Sequence, residues 1–159
     1  MKIVVLSDTH SYPLPRTLID EIKKADMVIH AGDFTDVSVL DALRKDKEVR
    51  AVYGNMDGMD LRRQLPQSQV FRCADVAVGL FHGEGASAGL LERVQKRFSG
   101  EDVQVVIFGH THEPMNETIN GVLYFNPGSP TDNYRAPYCS FGILEITGRN
   151  IRSRIVRIS

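Results

Sequence analysis

Cysteine is scarce in this chain: Cys73 and Cys139 stand alone, with no CxxC pair and no multi-cysteine framework. That excludes a disulfide-stapled scaffold, fits a reducing compartment such as the cytoplasm, and makes both thiols core filler rather than ligands. An excess of charge of one sign is missing too. The 19 Lys and Arg against 20 Asp and Glu leave a formal charge of −1, which gives no general reason to bind nucleic acid or a membrane surface. No apolar run is long enough to cross a bilayer. The run from Met1 to Leu6 is also too short for a signal-peptide core before Ser7-Asp8 interrupts it, so a soluble, cytoplasmic protein is expected. There is no internal repeat, low-complexity stretch or interdomain linker. A chain of 159 residues can bury roughly two-thirds of its unfolded surface in one core, and residues 1–159 are read as a single domain.

What is present is an alternation of short apolar runs with amphipathic segments. Ile3 to Leu6 is a continuous β-branched and leucine run, the pattern of a strand covered on both faces. Leu14 to Ala25 repeats apolar residues at helical spacing after Pro13. Met27 to Ile29, Val37 to Arg44 and Val49 to Tyr53 then predict strand, helix and strand, which implies parallel neighbours. The second half is richer in strands: Val70 to Cys73 and Val76 to Phe81 about Ala74-Asp75, then a helix marked by Leu90, Leu91, Val94 and Phe98, then Val103 to Phe108. Two hairpins close the chain. Asn120-Gly121 favours a type I′ turn between Glu117–Ile119 and Val122–Phe125, and Gly148 joins Tyr138–Ile146 to Ile151–Ile158. Two facing sheets with helices outside is the expected architecture. An exposed edge strand in the last hairpin would leave a place for a second copy to pair, so a homo-oligomer is an open expectation.

The chemistry gathers at the ends of the apolar runs. All five histidines sit beside Asp, Gly or Thr there: Asp8-Thr9-His10, His30-Ala31-Gly32-Asp33, His82-Gly83 and Gly109-His110-Thr111-His112. Gly54-Asn55-Met56-Asp57 closes another run. Imidazoles, carboxylates and a carboxamide form a mixed N/O donor set suited to borderline divalent metals, namely Mn, Fe, Co, Ni or Zn. In open α/β sheets ligands collect beyond the carboxyl ends of the strands, where these boxes fall. On an extended strand exit, residues two apart project to one side, so Asp8 and His10 can both touch one cation, and His110 and His112 repeat that spacing. The plainer readings are that Asp8 caps a loop and that His82 is a hydrogen-bonded core histidine; only its place at a strand end beside Gly83 promotes His82. His30 reads as a core histidine in preference to a support for the site. Asp57 either orients a ligand or closes a turn. Asn126-Pro127-Gly128-Ser129 offers backbone N–H groups to phosphate or is an ordinary turn, and Arg135 either contacts phosphate or is solvated.

Taken in order, Asp-x-His, Gly-Asp, Gly-Asn-x-Asp, His-Gly and Gly-His-x-His resemble the calcineurin-like metallophosphoesterase superfamily. The short chain without a cap domain is similar to its small single-domain prokaryotic phosphodiesterase branch and to the retromer subunit with a phosphoesterase fold. The resemblance implies a four-layer α/β/β/α sandwich. It further implies two divalent metal ions, with Mn2+ expected first and Fe, Ni or Zn able to use the same ligands. Asp8, His10 and His112 would hold one ion, Asn55, His82 and His110 the other, and Asp33 would bridge them. The implied activity is hydrolysis of small phosphate diesters by a hydroxide bridging the two metals, with Asp33, Asn55 and His82 closest to the chemistry.

Met56 departs from that pattern. Much of the superfamily has histidine there, in a role as proton donor to the leaving group or stabiliser of the phosphoryl group. Met has no ionisable proton and no strong donor, which disfavours phosphomonoester hydrolysis. The alternative from another class is a scaffold that keeps the fold for protein contacts. Retention of every ligand position argues against it.

Overall fold

The computed structural model describes residues 1–158. Ten strands and four helices alternate in the order β1 (Lys2–Leu6), α1 (Arg16–Lys24), β2 (Met27–His30), α2 (Val37–Arg44), β3 (Glu48–Ala51), α3 (Met59–Gln64), β4 (Ser68–Cys73), β5 (Val76–Phe81), α4 (Leu90–Arg97), β6 (Val105–Ile107), β7 (Met115–Ile119), β8 (Val122–Asn126), β9 (Ser140–Thr147) and β10 (Asn150–Arg157) among the described residues. They form two mixed five-stranded sheets, ordered β10-β9-β1-β2-β3 and β4-β5-β6-β8-β7. Period-two alternation assigns the layers. Ile3 and Val5 point between the sheets with Val78, Val105 and Phe125, while Val4 and Leu6 point out to Leu18, Leu40 and Leu61 of the first three helices. On the far side Val106 and Phe108 pack with Leu90, Val94 and Phe98 around α4. This is a four-layer α/β/β/α sandwich.

Within each sheet the strands leading to the histidine and carboxylate boxes run the same way. β1, β2 and β3 are parallel neighbours, and β5, β6 and β8 likewise. Their carboxyl ends therefore open on one edge of the sandwich. β9 runs antiparallel beside β1 and pairs Glu145 with Lys2, so the last hairpin completes the sheet that the first strand begins. The Asn120-Gly121 turn has both residues at positive φ, 49° and 81°, as type I′ requires. Its counterpart β10 lies at a sheet edge with Arg152 and Arg154 exposed at alternate positions, a pattern that discourages edge pairing. No helix among the described residues is long and apolar enough to cross a membrane.

Several strand ends shift by one or two residues from the sequence expectation, and two helices differ for a local reason. The first helix begins at Arg16 instead of Leu14, because Pro15 holds an extended conformation (φ −57°, ψ 145°) and the residue before a proline is barred from the helical region. The short α3 follows Gly58 and buries only Leu61, too little periodicity to register in the sequence.

Candidate metal centre

The seven predicted residues meet where the two sheets face each other. Asp8 and His10 follow β1, Asp33 follows β2, Asn55 follows β3, His82 follows β5, and His110 and His112 follow β6. Asp8, His10 and His112 present donor atoms within 4.8 Å of one another, as do Asp8, Asp33 and His82. Asn55 closes the second group, its Oδ1 lying 3.0 Å from His82 Nε2 and 2.9 Å from His110 Nδ1.

The backbone there differs from the extended strand exits expected. Asp8, His10, Asp33, His110 and His112 all have positive φ, between 47° and 74°, a region that disfavours L-residues and is entered most readily by Asn, Asp and His. Asp8 and His10 do meet in one donor group, but through left-handed turns that fold the chain tightly over the strand ends, and the same kind of turn sends His112 to Asp8 and His110 to Asn55. Glycine makes the close approach feasible. A Cβ on Gly109 would overlap Ser7 Oγ and stand 2.7 Å from Asp8 Oδ2, and one on Gly54 would overlap Asp33 Oδ1.

Three of the four imidazoles, those of His82, His110 and His112, have one nitrogen tied outward and one facing in. His82 Nδ1 donates to Ala31 O at 2.6 Å, His112 Nδ1 to Asp132 Oδ2 at 2.6 Å, and His110 Nε2 to Gly85 O at 2.6 Å. Such partners fix the tautomer and leave the other nitrogen as a lone-pair donor, the arrangement that metal-ligating histidines adopt. The inward nitrogens crowd together. His10 Nε2 lies 3.3 Å from His112 Nε2, and His82 Nε2 lies 3.3 Å from Asp33 Oδ2.

The carboxylates are as constrained. Asp8 is fully buried and its Oδ2 accepts from Ser7 Oγ (2.5 Å) and the His110 N–H (3.1 Å). Its Oδ1 accepts no hydrogen bond, alone among buried side-chain polar atoms of the described residues. A buried orphan oxygen is costly, and this one points at His112 Nε2 (3.2 Å) and His82 Nε2 (3.9 Å). The residues thus fit a cation between them. Burial would raise the pKa of Asp8, but contact with His112 and the charge of His82 outweigh it and hold it at about 2. Burial likewise works against protonation of His82, yet Asp33 and Asp8 prevail and raise it to about 9. His112 is raised for the same reason, through Asp8 and Asp132 overcoming burial. Without a cation, a proton on these imidazoles balances the carboxylates. Asp33 has one oxygen engaged, Oδ1 accepting from the Met56 N–H at 2.7 Å, so only Oδ2 faces the cluster freely.

The ambiguous residues resolve individually. Asp57 orients: one carboxylate accepts from the N–H groups of Asp33 (2.9 Å), Gly54 (2.7 Å) and Thr35 (2.7 Å), pinning the β2 and β3 exits together. Burial nonetheless raises its pKa, those N–H bonds only partly opposing it. His30 is a core histidine. It is fully buried, stacked on Phe34 at 3.5 Å between ring centroids, with Nδ1 accepting from Gly32 N–H and Nε2 donating to Thr9 Oγ1 at 3.0 Å. The Asn126–Ser129 turn braces and does not offer its amides to a ligand: Asn126 Nδ2 donates to Gly109 O, its Oδ1 takes the Gly128 N–H, and Ser129 Oγ donates to Asp8 O. Arg135 is exposed and lines an open cleft of about 800 Å3 with His10, His112, Met56 and Thr35. Asp132, the partner of His112, was missing from the sequence expectation. A lone loop aspartate 20 residues from its partner carries no spacing signal; only the general need of a ligating imidazole for a second partner points to it.

Imidazoles and carboxylates on loops at the carboxyl ends of two facing sheets define a metallophosphoesterase frame. A family model for the calcineurin-like phosphoesterase superfamily domain matches residues 1–149, and the chain belongs to that superfamily. It is 39% identical over 137 residues to a probable metallophosphoesterase of Methanocaldococcus jannaschii, covering 82% of this chain and 69% of that protein. A phosphodiesterase from the same organism is 31% identical over 169 residues, with 98% and 99% of the two chains covered. Among solved structures, a single-mutant Vps29 of Entamoeba histolytica superposes with a TM-score of 0.81 at 26% identity, over 100% of both chains.

Proposed function

We propose that this metallophosphoesterase, acting as a single domain, is a phosphodiesterase that hydrolyses small phosphate diesters with two divalent cations. The observation that carries the reading is Asp8 Oδ1, buried without a hydrogen bond and aimed into two clusters of inward-facing imidazole nitrogens. Asp8, His10 and His112 would hold one cation and Asn55, His82 and His110 the other, with Asp33 shared between them. When bound, such cations acidify water to a nucleophile at neutral pH and offset charge on a phosphate. The protein's own part is positional. Ala31, Gly85 and Asp132 hold the ligand rings, and Asp57 holds the loops of Asp33 and Asn55 in register. Manganese is the cation the family resemblance suggests, and iron, nickel and zinc suit the same N/O donor set.

Three features favour diesters. Met56 contributes its backbone N–H to Asp33, while its side chain, 59% exposed at the cleft, has no proton to give a leaving group. The cleft is open, with room for two ester arms. A relative that matches nearly the whole chain carries the name phosphodiesterase. The test is metal stoichiometry together with hydrolysis of a matched monoester and diester pair before and after chelation. Two bound ions and diester turnover that disappears on stripping are expected, with Asp33→Asn more damaging than His10→Ala or His82→Ala. Full activity in metal-free protein, or preference for the monoester, overturns the proposal.

A further inference from the structure

The cleft at His10 and His112 does not end at the candidate metal centre. It shares Tyr12, Thr131 and Asn133 with a second, larger trough of about 1040 Å3 that runs past Pro13 and Pro137 to Tyr138 and Arg157. The trough wall is fixed relative to the ligands: Thr131 Oγ1 donates to Thr9 O at 2.9 Å, and Ser129 Oγ donates to Asp8 O at 2.8 Å and accepts the Asp132 N–H at 3.0 Å. Two aromatic rings mark its ends. Tyr12 is 64% exposed at the near end, Tyr138 is half-buried at the far end, and the Arg157 guanidinium lies over the Tyr138 ring at 4.8 Å. Among the described residues, Arg157 is the only charged side chain lining the trough.

We propose that this trough binds the planar aromatic group, a nucleobase, on one arm of the diester whose phosphate sits at the His10/His112 cleft. The proposal rests on the phosphodiesterase reading and names its substrate class. Flat aromatic rings backed by a guanidinium and flanked by rigid prolines match the π-face of a base, which stacks on tyrosine and arginine without a requirement for a particular sequence. An alkyl arm would gain none of that stacking. A free anion would find one guanidinium, already placed against a ring, and no cluster of donors.

The chain has no tryptophan, so Tyr138→Trp places a single tryptophan in the trough, excited at wavelengths where tyrosine does not absorb. Adenosine 5′-monophosphate should quench it saturably, and ribose 5-phosphate, which differs only by the base, should not. Equal quenching by both, or by neither, overturns the proposal. A kinetic arm needs no fluorophore. Thymidine 5′-(p-nitrophenyl phosphate) and methyl p-nitrophenyl phosphate share a leaving group and differ in the other arm. Tyr12→Ala and Tyr138→Ala should each lower the ratio of kcat/KM for the first over the second by roughly tenfold or more, the loss expected for one stacked base. An unchanged ratio overturns the assignment. Wild-type protein that hydrolyses neither ester refutes the phosphodiesterase reading, while the fluorescence titration still decides the trough.

Discussion

His30 should dominate the acid sensitivity of the metal-free protein between about pH 4 and 6.5. Burial pushes its pKa down from 6.5 to about 3, so in that interval the unfolded chain binds a proton that the folded chain refuses. Stability therefore rises with pH across the window and falls as the solution is acidified. The full displacement corresponds to about 5 kcal/mol, of which about 3 kcal/mol is lost by pH 4.5, a large share of a typical domain's 5–15 kcal/mol. Other site groups titrate elsewhere. His82, raised to about 9, contributes stability that is complete below pH 6.5 and is lost as pH rises through 9. Asp8, lowered to about 2, contributes stability that is present above 3.8 and is lost as pH falls through 2. Asp57, raised above 3.8, works against His30 only at the acid end. His30→Asn removes the titrating ring while keeping an acceptor near the Nδ1 position for the Gly32 N–H. At pH 7.5 it should cost about 2–4 kcal/mol through the lost ring packing against Phe34. Because the variant has no proton to refuse, that gap should shrink by about 3 kcal/mol by pH 4.5. Urea unfolding in EDTA, followed by circular dichroism at half-unit pH steps, measures it. A gap between variant and wild type that stays constant from pH 7.5 to 4.5 refutes the argument.

Cation binding should expel protons. With His82 at about 9, affinity should fall about tenfold per pH unit below pH 9 for its proton, and more steeply where His112, also raised, is protonated; calorimetry at pH 7.5 in buffers of different ionisation enthalpy counts the protons, and zero released contradicts the electrostatics. Asp132→Asn should weaken metal binding about 10- to 100-fold with little change in unfolding midpoint, since it frees the His112 ring without opening the core; unchanged affinity would remove Asp132 from the site. With Met56 unable to donate a proton, wild-type rates should depend steeply on leaving-group pKa. Met56→His should help the poorest leaving groups most, by up to roughly 10²- to 10⁴-fold, and a flat series for wild type would show that another group supplies the proton.

The parts of this molecule that can be read from sequence are those written as contiguous patterns. Ile3 to Leu6 alternates between two cores because both faces of β1 are covered, and an uninterrupted apolar run is what that requires. The seven ligand candidates were legible because each ends such a run. What brings them together was not. The left-handed turns at Asp8, His10, Asp33, His110 and His112 are imposed by tertiary hydrogen bonds, such as His110 N–H to Asp8 Oδ2 across 102 residues of chain. Asp57 and Asp132 look like any loop aspartates until their partners are known. The six-residue α3 is likewise held by tertiary packing, through Leu61.

Strain and support in the site are two sides of one arrangement. Five candidate ligands and Thr35 occupy the left-handed region, at about 1–2 kcal/mol each, and for β-branched Thr35 the conformation is a genuine outlier. Such conformations persist only when the surroundings over-determine them. Here Asp57 receives the Asp33 and Thr35 N–H groups, Ser129 ties the Asp8 carbonyl, and Asn126 anchors the Gly109 carbonyl. Every one of these braces is a buried or half-buried polar side chain whose removal would strand a backbone group. The same loops could relax toward extended conformations if the braces were absent, and the donor atoms would then spread along the sheet edges. The histidines and carboxylates therefore form a cation-sized cluster because residues that never face a ligand hold the backbone in conformations it would not choose alone.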